Sequence, residues 1–214
     1  MIRIHSEVVG PFQENCYLVV DDASARAVLV DPGDEAGRIL AMVAASGAAL
    51  EAIWLTHAHL DHVGAINGVR RVHAVPVFLH PLDRPLYDRA AEVAAIYGVP
   101  FEQPEPPDRE LAEGGVLTVG TARFSVLHTP GHAPGHVVFH GPDLLLGGDL
   151  LFRGSVGRTD LPFCDGDAME ASLARVSALP PGTRVYPGHG PATTIGEELA
   201  DNPFLNGTAL PVRR

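Results

Sequence analysis

Lysine is absent from the 214-residue chain, and its fifteen basic residues are all arginines. That excludes Schiff-base chemistry and a P-loop lysine. Cysteine is scarce too: Cys16 and Cys164 are too few for a disulfide framework and read as reduced thiols of a cytosolic protein. Positive charge is in short supply, and a formal charge of -11 argues against a nucleic-acid partner, which needs a basic surface to release counterions. No apolar stretch approaches the ~20 residues of a membrane span. The opening "MIRIHSEVVGPFQENCYLVV" lacks the basic region and long apolar run of a signal peptide. The expectation is a soluble cytoplasmic protein with neither a membrane nor a nucleic acid as partner. What the chain does have is apolar side chain, 46% of residues against 19% charged, enough to fill a large core in a single domain over 1–214.

Short strands are expected first: "RIHSEVV", "NCYLVV" and "RAVLVDPG", each bounded by turn chemistry such as "DDAS" or "DPGD". "EAGRILAMVAASG" follows with Ile39, Leu40, Val43 and Ala44 at helical spacing and Gly47 as its stop. "EAIWLTH" reads as a buried strand, "LDHVGAINGVRRVH" as a helix, and "AVPVFLH" as another strand. "PLDRPLYDRAAEVAAIYG" reads as an amphipathic helix, and "VPFEQPEPPDRE" as a surface loop that could border a site. Strands return with "GVLTVG", "ARFSVLH", "HVVFHG" and "DLLLGGD". "DGDAMEASLARVSAL" reads as the last helix and "RVYPG" as the last strand. Such alternation predicts layered α/β construction, and no internal repeat or linker divides it.

Eleven histidines are distributed unevenly. Six fall in "THAHLDH", "TPGHAPGH" and "PGHG", each directly after an apolar strand-like run, and a fourth run, "DLLLGG", ends on Asp149. Loops at strand ends are where rigid sheets aim ligand-holding side chains. In extended chain His57 and His59 share a face and can address one ion, while a turn at Leu60 and Asp61 could send Asp61 and His62 toward a second. Neutral imidazole and carboxylate suit zinc, and also iron or manganese. Four groups cannot satisfy two ions, so His132, Asp149 and His189 are the expected partners, and a carboxylate such as Asp149 can bridge. Desolvating such a cluster without a cation is costly. His5, His73, His80, His128 and His140 are taken as surface or hydrogen-bonded residues, and His136 as a group behind the ligands rather than one of them.

"THAHLDH", "TPGHAPGH", "GGDLLF" and "YPGHG", in that order, resemble the metallo-β-lactamase-fold hydrolases. The likeness is to the hydroxyacylglutathione hydrolase (glyoxalase II)-like branch in its short bacterial form, and it runs from about "PFQENCYLV" to "PGHGPATTIGEE". It implies an αββα sandwich of two mixed sheets flanked by helices, with the site along one edge. It implies one metal held by His57, His59 and His132, another by Asp61, His62 and His189, and Asp149 bridging them with a water or hydroxide. Asp31 in "LVDPG" would orient a ligand from behind. A true β-lactamase is a poorer match, because those enzymes generally lack a bridging aspartate in a "GD" step and are exported. After the bridging aspartate, glyoxalase II carries a basic residue and then a tyrosine for glutathione. In "GGDLLFRGSVGRTDLPFCDG", Arg158 fits the first, but Asp160 stands where the tyrosine would be. The likeness to the short form implies no counterpart of the C-terminal helical domain of glyoxalase II.

Two divalent ions, zinc foremost, would lower the pKa of bound water to about 7 and polarise a carbonyl oxygen. The expected reaction is hydrolysis of a small-molecule acyl thioester, S-D-lactoylglutathione or a relative. Asp61 would be both ligand and hydrogen-bond acceptor for the nucleophile, and Arg158 a contact for an anionic substrate. The alternative is a mononuclear iron persulfide dioxygenase of the same fold, whose "GRTD"-like segment is partly matched. Such enzymes commonly have cysteine where this chain has Val156. Oligomeric state is not encoded in any of these features.

Overall fold

The computed structural model describes residues 1–209. β1 (Ile2–Val9), β2 (Glu14–Asp21) and β3 (Arg26–Val30) form an antiparallel meander. Helix α1 (Ala36–Ser46) carries the chain over to β4 (Ala49–Trp54), parallel to β3. Two short helices, α2 (Leu60–Val63) and α3 (Ile66–Arg70), lead to β5 (Val77–Leu79), and a 3-10 turn, Pro81–Asp83, precedes α4 (Arg84–Tyr87) and α5 (Ala90–Tyr97). β6 (Arg109–Glu110) closes the first sheet, ordered β1-β2-β3-β4-β5-β6. The second sheet uses β7 (Val116–Val119), β8 (Ala122–His128), β9 (Val137–Gly141) and β10 (Leu144–Gly148). A small hairpin follows, β11 (Leu151–Phe152) with β12 (Ser155–Val156), then α6 (Gly166–Ser177), β13 (Arg184–Pro187), β14 (Thr193–Thr194) and α7 (Ile195–Asp201). Its order is β14-β13-β10-β9-β8-β7, with β13 parallel to β10 and the other pairs antiparallel.

Side-chain alternation explains the layers. Every residue of β2 is buried. Cys16, Leu18 and Val20 face one core with Ile39, Val43, Ile66 and Val69 of α1 and α3, whereas Tyr17 and Val19 face the other sheet. A strand covered on both faces loses the apolar–polar rhythm and reads as a continuous apolar run. Between the sheets Trp54 packs on Phe124 and Phe139, with ring centroids 5.6 and 5.2 Å apart. A third cluster puts Val138 and Leu145 of the second sheet against Met169, Leu173 and Val176 of α6 and Ile195 of α7. Helix, sheet, sheet and helix thus stack in the expected αββα order. No helix among the described residues is long and apolar enough to cross a membrane.

Three expectations are corrected. The helix read over "LDHVGAINGVRRVH" is two helices, because the Ala65 amide leaves the helical ladder to bond Pro32 O at 2.9 Å. The amphipathic helix at 81–98 is likewise broken into the 3-10 turn, α4 and α5. Neither "RVYPG" nor "DGDAMEASLARVSAL" is the last element of its kind. β14 and α7 follow them, α7 being started by a capping box in which Thr194 Oγ1 accepts from Glu197 N and Glu197 accepts from Thr194 N.

Because Trp54 is 1% exposed and fills the space between the sheets, Trp54→Ala is expected to lower unfolding stability by roughly 3–5 kcal/mol. Val72→Ala, at a position 63% exposed, is expected to change it by less than about 0.5 kcal/mol. Denaturant titration of both compares them, and equal shifts would contradict this packing.

Candidate metal centre

Four strand ends converge. β4 runs into Thr56–His62, β8 into Thr129–His136, β10 into Asp149, and β13 into Gly188–His189. His57 Nε2 lies 3.1 Å from His59 Nδ1, which lies 2.8 Å from His132 Nε2. Beside this trio, Asp61 Oδ2 is 3.9 Å from His62 Nε2 and 3.4 Å from His189 Nε2. Asp149 stands between the groups. Its Oδ2 is 3.4 Å from His132 Nε2 and 3.5 Å from His189 Nε2, and its Oδ1 is 3.5 Å from His62 Nε2. All seven predicted ligand positions are therefore brought together, from segments up to 132 residues apart (189 − 57). Among the described residues, His5, His73, His80, His128 and His140 do not join them. Gly188 makes the last approach possible, since a Cβ there would sit 2.1 Å from Asp149 Oδ1.

Groups behind the rings set which nitrogen points inward. Asp31 Oδ2 accepts from Thr56 Oγ1 at 2.6 Å and faces His62 Nδ1 at 3.1 Å, while Asp31 Oδ1 accepts from Thr56 N. Thr56 Oγ1 in turn receives His57 Nδ1 at 3.1 Å, and Arg158 O receives His132 Nδ1 at 2.8 Å. With the outer nitrogens donating, the inward Nε2 atoms of His57 and His132 present lone pairs, while His62 turns its Nε2 toward Asp149 Oδ1. His136 lies behind the cluster: its Nε2 accepts from Asp149 N at 3.1 Å and its Nδ1 donates to Thr129 Oγ1. Arg158 lies at the surface, its guanidinium bonded to both carboxylate oxygens of Asp160 at 2.7 and 2.8 Å.

Several residues escaped the sequence reading. Asn15 Nδ2 donates to Pro187 O and Gly190 O, and Tyr17 Oη donates to Pro187 O, so β2 fastens the turn that carries His189. Glu14 is buried 3.9 Å from His62 Nδ1; burial first, then Asp31, Asp61 and Asp149, push its pKa well up. Asp83, also buried, accepts backbone N–H groups from two of the ligand loops. Only "PFQENCY" offered a signal for Glu14, Asn15 and Tyr17, as part of the family likeness. The partners of Asp83 are backbone amides, which leave no pattern in a sequence.

This cluster suits divalent cations. His62 Nε2 and Asp149 Oδ1 are buried without a hydrogen-bond partner among the described residues, and His57 Nε2 and His132 Nε2 both crowd onto His59 Nδ1, at 3.1 and 2.8 Å. Metal ligands must be free of protons, and the two halves differ in this. Burial, reinforced by neighbouring imidazoles, drives His57 far down, and burial with His132 takes His59 to about 3. Burial also opposes charge on His62, but Asp149 and Asp61 hold it up to about 9. His189 is burdened by burial likewise, yet its bonds to Asp149 and Asp61 raise it to about 10. Asp61 and Asp149 stay ionised: burial works against them, and His62 and His189 outweigh it.

The matching family model is the metallo-beta-lactamase superfamily, over residues 9–189. The chain belongs to that superfamily and is a metallo-hydrolase by fold and by its histidine–aspartate cluster. It is 38% identical to the hydroxyacylglutathione hydrolase GloC of Haemophilus influenzae, over 92% of this chain and 95% of that one. It is 36% identical to the probable metallo-hydrolase YqgX of Bacillus subtilis, over 94% and 97%. Among solved structures, TTHA1623 in a di-iron-bound form is 50% identical with a TM-score of 0.87, over 94% of this chain and 100% of that one. The B3 metallo-beta-lactamase BLEG-1 is 40% identical with a TM-score of 0.90, over 96% and 100%. ETHE1 from Myxococcus xanthus is 28% identical with a TM-score of 0.80, over 96% and 85%. The likeness to a lactamase is closer than the motifs alone suggest.

Since His62 and His189 hold protons in the metal-free protein, filling the half they share with Asp61 is expected to release about two protons at pH 7. Apparent affinity for that ion should rise about a hundredfold per pH unit between pH 6 and 8 and flatten above pH 10. Calorimetry in buffers of differing ionisation enthalpy measures this, and an affinity independent of pH would contradict it.

Proposed function

We propose that this metallo-hydrolase cleaves acyl thioesters, most closely of the S-D-lactoylglutathione type, at a pair of divalent cations. His57, His59 and His132 hold one ion, Asp61, His62 and His189 hold the other, and both share Asp149. The observation that carries the reading is the position of Asp149 Oδ2, 3.4 Å from His132 Nε2 and 3.5 Å from His189 Nε2. One carboxylate thereby serves both halves. Similarity to a hydroxyacylglutathione hydrolase over nearly the whole chain supports the substrate class.

When bound, the cations supply activated water at neutral pH and a Lewis acid for the acyl oxygen. Asp61 keeps a carboxylate at the centre that is 18% exposed, against 9% for Asp149. It can therefore accept a hydrogen bond from a water and aim that water's lone pair at the scissile carbon. His136 holds the Asp149 backbone, and Asp31 holds His62, so neither carboxylate nor ring must reorganise during reaction. A thiol with a pKa of about 8.5 leaves readily as thiolate, which removes the need for a strong general acid. Arg158, exposed beside Asp160, is the cation assigned to an anionic end of the substrate.

The second reading, a mononuclear iron persulfide dioxygenase, is left open by the likeness to ETHE1 and by the presence of iron in TTHA1623. A screen of metal-quantified protein separates the two. It compares lactoylglutathione, other acyl thioesters, a lactam and a phosphodiester, and follows oxygen uptake with glutathione persulfide. Thioester turnover without oxygen uptake is expected, and the reverse would overturn the proposal. Asp61→Ala is expected to lower thioester turnover by about 10²–10⁴-fold, and unchanged turnover would remove Asp61 from the mechanism.

A further inference from the structure

The trio His57, His59 and His132 is assembled from two sheets, since the first two follow β4 and the third follows β8. One side chain spans the two loops. Asp83 is fully buried; its Oδ2 accepts from Ala58 N at 3.0 Å and its Oδ1 from Gly135 N at 2.5 Å. Ala58 lies between His57 and His59, and Gly135 lies between His132 and His136. Each carboxylate oxygen therefore grips one ligand-bearing loop. Contact is so close that a Cβ on Gly135 would meet Asp83 N at 2.7 Å and Oδ1 at 2.8 Å.

Asp83 is itself held in place. It ends the 3-10 turn after β5, and its N–H bonds His80 O at 3.0 Å. The His80 ring stacks on His128, with centroids 4.4 Å apart and planes within 8°, and His128 Nε2 donates to Pro134 O at 2.9 Å. Segment 80–83 is thus clamped to the same loop that it braces. The other half of the centre has separate supports, Asp31 on His62 and Asn15 on the His189 turn.

We propose that Asp83 is a positioning residue that sets the spacing of the three-histidine position, acting through the backbone amides of Ala58 and Gly135 and touching neither metal nor substrate. The inference rests on reading His57, His59 and His132 as ligands, not on the thioester as substrate. A carboxylate is required and not just a polar side chain of its shape. Both oxygens face N–H donors, so an amide there turns its own NH2 against one of them.

The test is metal binding and hydrogen exchange at pH 8 with the full chain, its Asp83→Asn and Asp83→Ala variants, and His132→Ala run in parallel. Zn²⁺ and Co²⁺ are titrated against a competing chelator. In Asp83→Asn, affinity at the three-histidine position is expected to fall about 10–100-fold, with an altered cobalt absorption spectrum and unchanged affinity at the other position. In the metal-free variant, Ala58 and Gly135 amides are expected to exchange faster while Leu145 in β10 keeps its protection. Asp83→Asn with wild-type affinities and protected Ala58 and Gly135 amides would overturn the proposal. So would a parallel loss at both positions matching the loss of global stability. Should Asp83→Ala fail to fold, Asp83→Asn decides. Retention of both ions by His132→Ala would show instead that the ligand reading has failed.

Discussion

Everything at this centre follows from crowding lone pairs and carboxylates where water cannot compensate them. His57, His59 and His132 turn ring nitrogens on one another at hydrogen-bond distance, and buried Asp149 is shared between the two groups of rings. Burial alone opposes the ionised form of every group there, by several kcal/mol per ion in typical interiors. In the metal-free chain the compromise is uneven. Protons stay on His62 and His189, each of which faces both Asp61 and Asp149, and leave the trio neutral. A pair of cations resolves both halves at once, which is the physical reason to regard the cluster as a metal centre rather than as packing.

Two buried sheets make this arrangement tolerable. The loops that carry the cluster each follow a strand whose buried side chains belong to the three apolar clusters, so the loops start from fixed points. Short polar contacts then fix the rest: Asp31 through Thr56 and His62, His136 through the Asp149 amide, Arg158 O through His132, and Asn15 and Tyr17 through the His189 turn. These contacts join segments distant in sequence, and most end on backbone groups. Catalytic metal sites depend on such outer partners nearly as much as on the ligands.

What was legible in the chain had a local signature. The strand runs before His57, His132, Asp149 and His189 stood out as apolar, and alternate residues at His57 and His59 share a face by the geometry of extended chain. What was not legible depended on tertiary partners. The break between α2 and α3 comes from a bond to Pro32, and the place of Asp83 comes from amides 25 and 52 residues away. Glu14 looks like an ordinary polar residue until β2 is seen to be buried on both faces. The terminal helix is a different case. "TIGE", Thr194 to Glu197, is a capping-box pattern that could have marked α7 in advance.

Membership of the superfamily accounts for the fold and the metallo-hydrolase cluster, while the proposed thioester substrate rests on the similarity to GloC. The most direct check on the central claim is anomalous-difference diffraction from crystals grown with zinc, with a parallel set grown with iron. Two peaks are expected, one among His57, His59 and His132 and one among Asp61, His62 and His189, each within bonding distance of a different lone pair of Asp149. A single peak, or a pair with Asp149 turned away from both, would contradict the account.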